Sequence, residues 1–254
     1  MWWCLTGPLA FLPIHAAGCY DTQTTGYKIS DYVASSYTPT LTALLERSRN
    51  SPTTFQGLLG VSQPGTPGQS PLPNAAKELT AIEKLGSSSF HIHTLPGELA
   101  TIESVVKGMA ERSWVHLACH AVQDGSEPSQ SAFCLHNGRL TLSGIVSNSF
   151  SHADFAFLSA CQTAQGDPEL SEEAAHLAGG MVAAGYRSVI ATMWSIQDKD
   201  APMIAREVYS RLIDGPSPDS SRAAHALHHA VKVLRDQLGG ESFLSWVPFI
   251  HVGV

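Results

Sequence analysis

One histidine and one cysteine stand at the ends of two apolar segments near the middle of the chain. His120 ends the segment WVHLACH (Trp114–His120), Cys161 ends FAFLSAC (Phe155–Cys161), and a polar loop follows each. Short apolar runs bounded by turn residues are typical of buried parallel strands. The carboxyl ends of such strands meet at one edge of an open α/β sheet, where ligands bind. The sequence therefore predicts an imidazole and a thiol on the same rim of one sheet.

A thiol beside an imidazole can carry out nucleophilic catalysis. A thiol with a pKa of about 8.5 is only a few per cent thiolate at neutral pH, and a neighbouring imidazole raises its reactivity and supplies a proton to the leaving group. The backbone N–H of Cys161 and one from the loop after His120 are candidates for holding the oxyanion of an acyl intermediate. A cysteine at a strand end can equally be a packing residue, and a lone histidine a hydrogen-bonded polar group. The residues by themselves leave both interpretations open.

Composition excludes several classes of protein. The 254 residues are 43% hydrophobic, enough to bury a full core, and we expect one domain. The net charge of −7 and the absence of a Lys/Arg stripe argue against nucleic acid as a partner. The five cysteines show no framework spacing, so we expect reduced thiols and a cytoplasmic location. The apolar start has no basic n-region and is interrupted by Gly7, Pro8 and Pro13, so we expect neither a signal peptide nor a membrane span.

The remaining sequence predicts strands that alternate with helices. Apolar runs predict strands at 1–4, 10–14, 55–61, 90–95, 114–120, 155–161, 186–194 and 249–254. Helical spacing and caps predict helices at 38–47, 74–85, 98–112, 171–185, 200–213 and 222–238, and an Asn-Gly turn predicts a hairpin over 133–141 followed by a short helix. The proline-rich stretch 62–73 predicts a loop. This alternation is typical of a mostly parallel sheet with helices on both faces.

Several long segments resemble the same family in the same order. They are WWCLTGPLAFLPIHAAG (Trp2–Gly18), SSYTPTLTALL (Ser35–Leu45), LPGELAT (Leu95–Thr101), WVHLACHA, CLHNGRLTLSGI, AFLSACQTAQG, HLAGGMVAAGYRSVIATMWSIQDKDAP and WVPFIHVGV. These segments are similar to the CHAT domain, a family of caspase-like cysteine peptidases related to separases and often found after tetratricopeptide repeats. The resemblance implies an α/β fold, a three-layer caspase-like sandwich. It also implies a cysteine endopeptidase with His120 and Cys161 as its catalytic dyad, regulated by a partner or an upstream domain.

We therefore expect residues 1–254 to form a single CHAT domain, with any N-terminal part and upstream repeats lying outside this chain. One position departs from the family pattern, because the usual His-Gly is His120-Ala121 here. The resemblance assigns the N–H groups of residue 121 and Cys161 to the oxyanion hole. Alanine is harmless there at negative φ but costs about 1 kcal/mol or more at positive φ. Ala121 therefore leaves open an alternative, a non-catalytic pseudo-peptidase that binds a partner in a signalling assembly.

A second resemblance bears on substrate choice. Trp194–Asp198 (WSIQD) is similar to a segment of separase-like relatives in which an aspartate faces a basic substrate residue before the scissile bond. The matching acids are Asp198 and Asp200, with Trp194 in the same candidate substrate-binding region and Asp167 as a further candidate acid. Simpler interpretations remain, because Asp200 precedes a predicted helix as its N-cap and Asp198 can be a solvated loop charge.

The motif H-x-x-C-H (His116, Cys119, His120), together with Cys134 and His136, has some features of a zinc site. On a strand, however, residues 116 and 120 face one way and residue 119 the other, so the motif does not converge on one metal. We expect no metal and no cofactor. The expected partners are a protein or peptide substrate and a tetratricopeptide-repeat or other regulatory protein region, with no nucleic acid and no membrane.

Overall fold

The computed structural model describes residues 1–21, 25–49, 54–86, 90–124, 126–148, 150–159, 161–162 and 174–254. The strands are β1 (Trp2–Trp3), β2 (Ser36–Tyr37), β3 (Leu58–Ser62), β4 (Ile92–Pro96), β5 (Trp114–Ala118), β6 (His120–Val122), β7 (Ala132–Leu135), β8 (Gly138–Thr141), β9 (Phe155–Leu158), β10 (Cys161–Gln162), β11 (Ser188–Thr192) and β12 (Phe249–Gly253). The helices are α1 (Leu41–Arg49), α2 (Asn74–Glu83), α3 (Ile102–Glu111), α4 (Leu142–Val146), α5 (Ala174–Ala183), α6 (Ala201–Leu212), α7 (Ala223–Leu238) and α8 (Phe243–Trp246).

Two sheets organise these elements. The main sheet has eight strands in the order β1-β2-β12-β11-β9-β5-β3-β4, and neighbours are parallel except for the pair β11 and β12. The second sheet has four strands in the order β10-β6-β7-β8. Strands β3, β5, β9 and β11 are buried along their whole length, which explains their nearly continuous apolar sequences. The predicted mostly parallel sheet is confirmed.

Helices cover both faces of the main sheet. On one face, Val105 of α3 and Met181 of α5 belong to a buried apolar cluster. On the other, Leu79 of α2, Ile204 of α6 and Leu227 of α7 belong to a second cluster. The fold is therefore the predicted three-layer α/β sandwich, and the sheet lies between two hydrophobic cores.

The N-terminal segment differs from the prediction. The prediction of a strand at 10–14 is wrong, because Gly7–Phe11 and Ile14–Ala16 form short 3-10 helices. Pro8 and Pro13 lack the backbone N–H that a strand ladder requires. The first strand, β1, pairs instead with β2, more than thirty residues along the chain, with Trp2 in register with Ser36.

Two predicted helix starts also need correction. Asn74 is the first residue of α2 rather than its cap, a position that Pro73 occupies. The helix predicted from residue 98 begins later, because a 3-10 turn covers Gly97–Leu99 and the Thr101 hydroxyl caps α3 by accepting from the Ser104 N–H. The predicted helix start at residue 171 lies outside the described residues, which enter α5 at Ala174. Within the described ranges, no helix combines the length and apolarity needed to cross a bilayer.

Candidate active site

Strands β5 and β9 lead from the main sheet into the second sheet. β5 ends at Ala118 and β6 begins at His120, while β9 ends at Leu158 and β10 begins at Cys161. The pairing partners change at these points, since β5 lies between β3 and β9 whereas β6 lies between β7 and β10. The continuous strands predicted at 114–120 and 155–161 are therefore each divided in two, because a chain that changes partners must interrupt its ladder.

The register of the second sheet brings the two predicted dyad positions together. β10 runs parallel to β6, with Cys161 opposite His120 and Gln162 opposite Ala121. Adjacent strands in a sheet lie about 4.8 Å apart. The backbones of residues 120 and 161 are therefore immediate neighbours on adjacent strands. The Cys161 side chain lies outside the described part of the structure.

A hydrogen bond to a backbone carbonyl fixes the tautomer of the His120 imidazole. Its Nε2 atom lies 2.7 Å from the backbone oxygen of Ser70, in the loop between β3 and α2. A carbonyl oxygen can only accept, so Nε2 carries the proton. The other nitrogen, Nδ1, is buried and has no hydrogen-bond partner among the described residues. In the neutral ring Nδ1 is therefore the unprotonated nitrogen, and the imidazole presents it as a base.

Ala121, the position that departs from the family pattern, lies in the middle of β6. It is opposite Phe133 of β7 on one side and Gln162 of β10 on the other, and its side chain is buried in the core. Strand residues have negative φ, which alanine adopts without strain. The backbone here does not require the glycine that the family usually has.

Asp198 lies in the loop after β11 and contacts the start of α2. Its Oδ2 atom accepts hydrogen bonds from the backbone N–H of Asn74 at 3.0 Å and from the Asn74 side-chain amide at 2.7 Å. The carboxylate therefore satisfies an N–H group and places a negative charge at the positive end of α2. Among the described residues its Oδ1 atom has no such contact, and the side chain is partly exposed.

Asp200 precedes α6 as predicted, but its side chain makes no capping hydrogen bond. It is 6% exposed, and its Oδ2 atom is buried without a hydrogen-bond partner among the described residues. Trp194, in the same loop, is partly buried against the apolar core, and its indole N–H likewise has no partner within the described ranges. Asp167 lies outside the described residues.

Sequence reasoning missed a set of buried polar groups close to the dyad strands. Glu78 of α2 contacts His116 of β5 and Ser159, the residue that follows β9, and His116 contacts Tyr209 of α6. A signal was present in the sequence, because Glu78 shares the buried face of α2 with Ala75, Leu79 and Ile82 at helical spacing. A carboxylate on an apolar face indicates a buried polar contact.

The two histidines of the H-x-x-C-H motif lie in different sheets, His116 in β5 and His120 in β6. Neither contacts the other, since His116 is bound within the buried network and His120 to the loop before α2. The described residues contain no group of three histidine, cysteine, aspartate or glutamate side chains arranged to hold a metal ion.

Solved structures with the same fold are cysteine peptidases of the caspase-like class. The chain superimposes on separase from the Saccharomyces cerevisiae separase–securin complex with a TM-score of 0.59 at 15% identity, covering 89% of this chain and 14% of separase. A second structure of that complex gives a TM-score of 0.58 at 14% identity, covering 87% and 14%. The Arg-specific cysteine proteinase gingipain R gives 0.56 at 13% identity, covering 86% of this chain and 53% of the proteinase.

The fold is thus that of caspase-like peptidases, and the chain spans only part of the length of each of these proteins. The chain belongs to the CHAT domain family, whose model matches residues 1–254. No curated protein matches the chain. The predicted family and the predicted fold are both confirmed.

Proposed function

We propose that this CHAT domain is a cysteine endopeptidase in which Cys161 is the nucleophile and His120 the general base and acid. The observation that carries the proposal is the register of β10 on β6, which pairs the backbone of residue 161 with that of His120. The Nδ1 atom of the His120 imidazole is unprotonated and unpartnered among the described residues. Residues in register on adjacent strands lie on the same face of a sheet. A thiol and a base on one face are what nucleophilic catalysis requires.

In this mechanism Nδ1 of His120 accepts the thiol proton while the thiolate attacks the scissile carbonyl carbon. The backbone N–H groups of Ala121 and Cys161 are the proposed donors to the oxyanion. The tetrahedral intermediate collapses as Nδ1–H protonates the leaving amine, and water, activated by the same nitrogen, then hydrolyses the thioester. The Ser70 carbonyl keeps Nε2 protonated throughout and stabilises the imidazolium that forms in each half-reaction.

The acids after β11 support a preference for a basic residue before the scissile bond. Asp198 has one carboxylate oxygen without a partner among the described residues, and the nearby Asp200 has a buried oxygen in the same condition. A buried, unpartnered carboxylate is costly and favours a cationic partner. One of the solved structures with this fold is described as an Arg-specific proteinase, which agrees with such a pocket. Trp194 lies in the same loop and is proposed to line it.

The non-catalytic alternative loses the support that it drew from Ala121, because a strand position tolerates alanine in place of glycine. We propose instead that regulation acts through a protein partner or an upstream region such as tetratricopeptide repeats. Separase, with the same fold, was solved in complex with securin, which agrees with regulation by a protein. A reactive thiol is suited to a reducing compartment such as the cytoplasm.

Cleavage of a peptide library tests the proposal. The wild-type chain should cut a subset of peptides, with basic residues enriched before the cut, and Cys161→Ala should abolish every cut. His120→Ala should lower the rate by about a hundredfold or more. Cys134→Ala removes a buried free thiol opposite His120 on β7 and is the matched control, expected to keep the activity. Cleavage that survives Cys161→Ala would overturn the proposal.

A further inference from the structure

A buried carboxylate on α2 contacts both chain segments that lead to the dyad. Oε2 of Glu78 accepts a hydrogen bond from the Ser159 hydroxyl at 2.9 Å, and Oε1 lies 3.1 Å from Nε2 of His116. Ser159 stands two residues before Cys161 in the chain, and His116 stands four residues before His120. One side chain therefore bridges the segments that carry the nucleophile and the base.

The network extends one residue further into the core. The Tyr209 hydroxyl lies 3.2 Å from Nδ1 of His116, and burial together with the charge of Glu78 raises the pKa of that phenol well above its usual range. Tyr209 therefore stays protonated. The contact between Glu78 and His116 is misaligned for a hydrogen bond, so it acts as an electrostatic contact. All four side chains are buried.

The stability of the fold alone does not explain why these polar side chains are buried together. Well-packed apolar side chains of similar volume are often as stabilising as a buried polar cluster, or more so. Buried polar contacts between side chains of different elements do, however, restrict the relative positions of those elements. Glu78, His116, Ser159 and Tyr209 come from α2, β5, the residue after β9, and α6.

Ser159 lies where the chain passes from one sheet to the other. It directly follows β9 of the main sheet and precedes β10 of the second sheet. His116 is inside β5, whose residues are in register with β9. Glu78 thus links the segment before Cys161 to the strand that leads to His120, at the point where both chains change sheets.

We propose that Glu78 is a positioning residue that, through Ser159 and His116, sets the nucleophile segment against the base. This inference rests on the proposed function, because it assumes that Cys161 and His120 act together. Glu78 touches neither substrate nor the reacting atoms in this scheme. Its contribution is preorganisation, and displacing a reacting group by even 1 Å is enough to slow catalysis by about a hundredfold.

Ser159→Ala tests the inference with the smallest possible change. It should lower kcat roughly tenfold with KM within about twofold, because the substrate pocket is kept while the nucleophile segment is released. Ser188→Ala is the matched control, since Ser188 is also a buried serine whose hydroxyl contacts a buried polar side chain, but its partner is the His251 imidazole at 2.7 Å and it lies in β11. Both variants should lower the melting temperature by a similar amount, about 2–5 °C, and only Ser159→Ala should lower kcat.

A conservative change at the carboxylate gives a second readout. Glu78→Gln keeps an oxygen that accepts from Ser159 and should retain most of kcat, whereas Glu78→Leu should reproduce or exceed the loss seen in Ser159→Ala. Alkylation of Cys161 by iodoacetamide, with the exposed Cys4 as internal reference, reports the same positioning without a substrate. Ser159→Ala should slow the Cys161 reaction about fivefold and leave Cys4 unchanged.

These experiments distinguish a failure of the positioning role of Glu78 from a failure of the proposed catalytic dyad. If His120→Ala slows alkylation of Cys161 but Ser159→Ala does not, the dyad stands and the positioning role is overturned. Equal kcat losses in Ser159→Ala and Ser188→Ala would also overturn it, because general destabilisation would then explain both. If His120→Ala itself has no effect on Cys161, the proposed function fails and this inference fails with it.

Discussion

The Ser70 carbonyl determines which nitrogen of His120 can act as a base. Because the carbonyl oxygen accepts a hydrogen bond from Nε2–H, with the nitrogen and oxygen 2.7 Å apart, the lone pair is left on Nδ1, the nitrogen nearer the strand backbone. In the proposed dyad, a main-chain oxygen would take the role that a carboxylate has in many catalytic triads. No side-chain motif encodes such a contact, since any residue supplies a carbonyl. The contact between His120 and the Ser70 carbonyl depends instead on the path of the loop between β3 and α2.

Histidine-ring NMR measures this tautomer directly. At pH about 7.5, long-range proton–nitrogen correlations should show the His120 ring protonated at Nε2 and unprotonated at Nδ1. The His120 ring signal can be assigned because it disappears from the spectrum of the His120→Gln variant. A ring protonated at Nδ1 would contradict the mechanism, because the nitrogen offered to the thiol would then lack a lone pair.

Ala121→Gly tests whether the departure from the family pattern matters. Since residue 121 lies within a β-strand, where negative φ is the rule, restoring glycine should change kcat/KM by less than about twofold. The variant should be slightly less stable, by about 0.5–1 kcal/mol, because glycine loses more backbone entropy in a strand. A tenfold gain in activity, measured on the best library peptide, would mean that the alanine impairs the oxyanion hole.

Asp198 combines a structural and a proposed binding role that two variants separate. Asp198→Ala removes both hydrogen bonds to Asn74 and should lower the free energy of unfolding by about 1 kcal/mol. Asp198→Asn keeps an acceptor oxygen and should cost less stability, yet it removes the charge. The preference for arginine over glutamine before the cut should then fall about tenfold in kcat/KM. An unchanged preference in Asp198→Asn would assign the residue to helix capping alone.

At the scale of elements, the adjacent glycines of α5, Gly179 and Gly180, have different surroundings that the sequence does not distinguish. A methyl group on Gly180 would lie 2.6 Å from a side-chain carbon of Leu142 at the start of α4, whereas nothing lies within 4 Å of the same position on Gly179. Only Gly180 is required for close approach, and the neighbour it accommodates is α4. A Gly-Gly pair in a helix indicates close packing against a neighbour, but it does not indicate which of the two glycines makes the contact.

The two glycines therefore predict opposite changes in stability. Gly180→Ala should destabilise the fold by about 1–3 kcal/mol, because Leu142 must shift. Gly179→Ala should stabilise it by up to about 1 kcal/mol, since alanine favours the helix and meets no neighbour. Urea denaturation of both variants measures the difference. Equal destabilisation of the two would show that α5 does not pack on α4 in this way.

Most elements followed from the sequence, and two features that did not follow share one cause. Fully buried strands and amphipathic helices are fixed by local apolar patterns, so β3, β5, β11, α2 and α7 were predicted within a few residues. The division of the two dyad strands was not predicted, because a continuous apolar run does not record a change of pairing partner. The pairing of β1 with the distant β2 is equally non-local.

At the scale of the whole molecule, the partly buried His15 and the buried His251 connect the N-terminal segment to the rest of the fold. His15 contacts the Tyr37 hydroxyl through Nδ1, and burial lowers the pKa of His15 to about 4. His251 in β12 lies between the hydroxyls of Ser36 and Ser188, and burial lowers its pKa to about 3. Both rings are therefore neutral in the folded protein at physiological pH.

The folded protein should lose stability in mild acid. Below pH 6.5 the unfolded chain binds protons at these histidines while the folded chain does not, so the free energy of unfolding falls as the pH drops from 6.5 towards the folded values of about 4 and 3. For His15 the full effect is roughly 3 kcal/mol. Urea denaturation at pH 7 and pH 4.5 should show the loss, and His15→Gln should reduce it. An equal loss in that variant would assign the acid sensitivity elsewhere.

Only part of the candidate site could be predicted from the sequence. His120 and Cys161 were predicted from their places at the ends of apolar runs, and the register of β10 on β6 agrees with their being neighbours. The Ser70 carbonyl and the contacts of Glu78 were not predicted. They join residues fifty and eighty-one positions apart through loop geometry and buried packing, which no local pattern specifies.

The pH profile of Cys161 alkylation tests most directly whether its thiol and the His120 imidazole work as one unit. Rates of reaction with iodoacetamide, mapped by mass spectrometry from pH 5 to 9, should show Cys161 reacting faster than Cys4 below pH 7, and His120→Ala should remove that advantage. Equal, slow reaction of Cys161 and Cys4 at every pH, unchanged by His120→Ala, would contradict the proposed dyad.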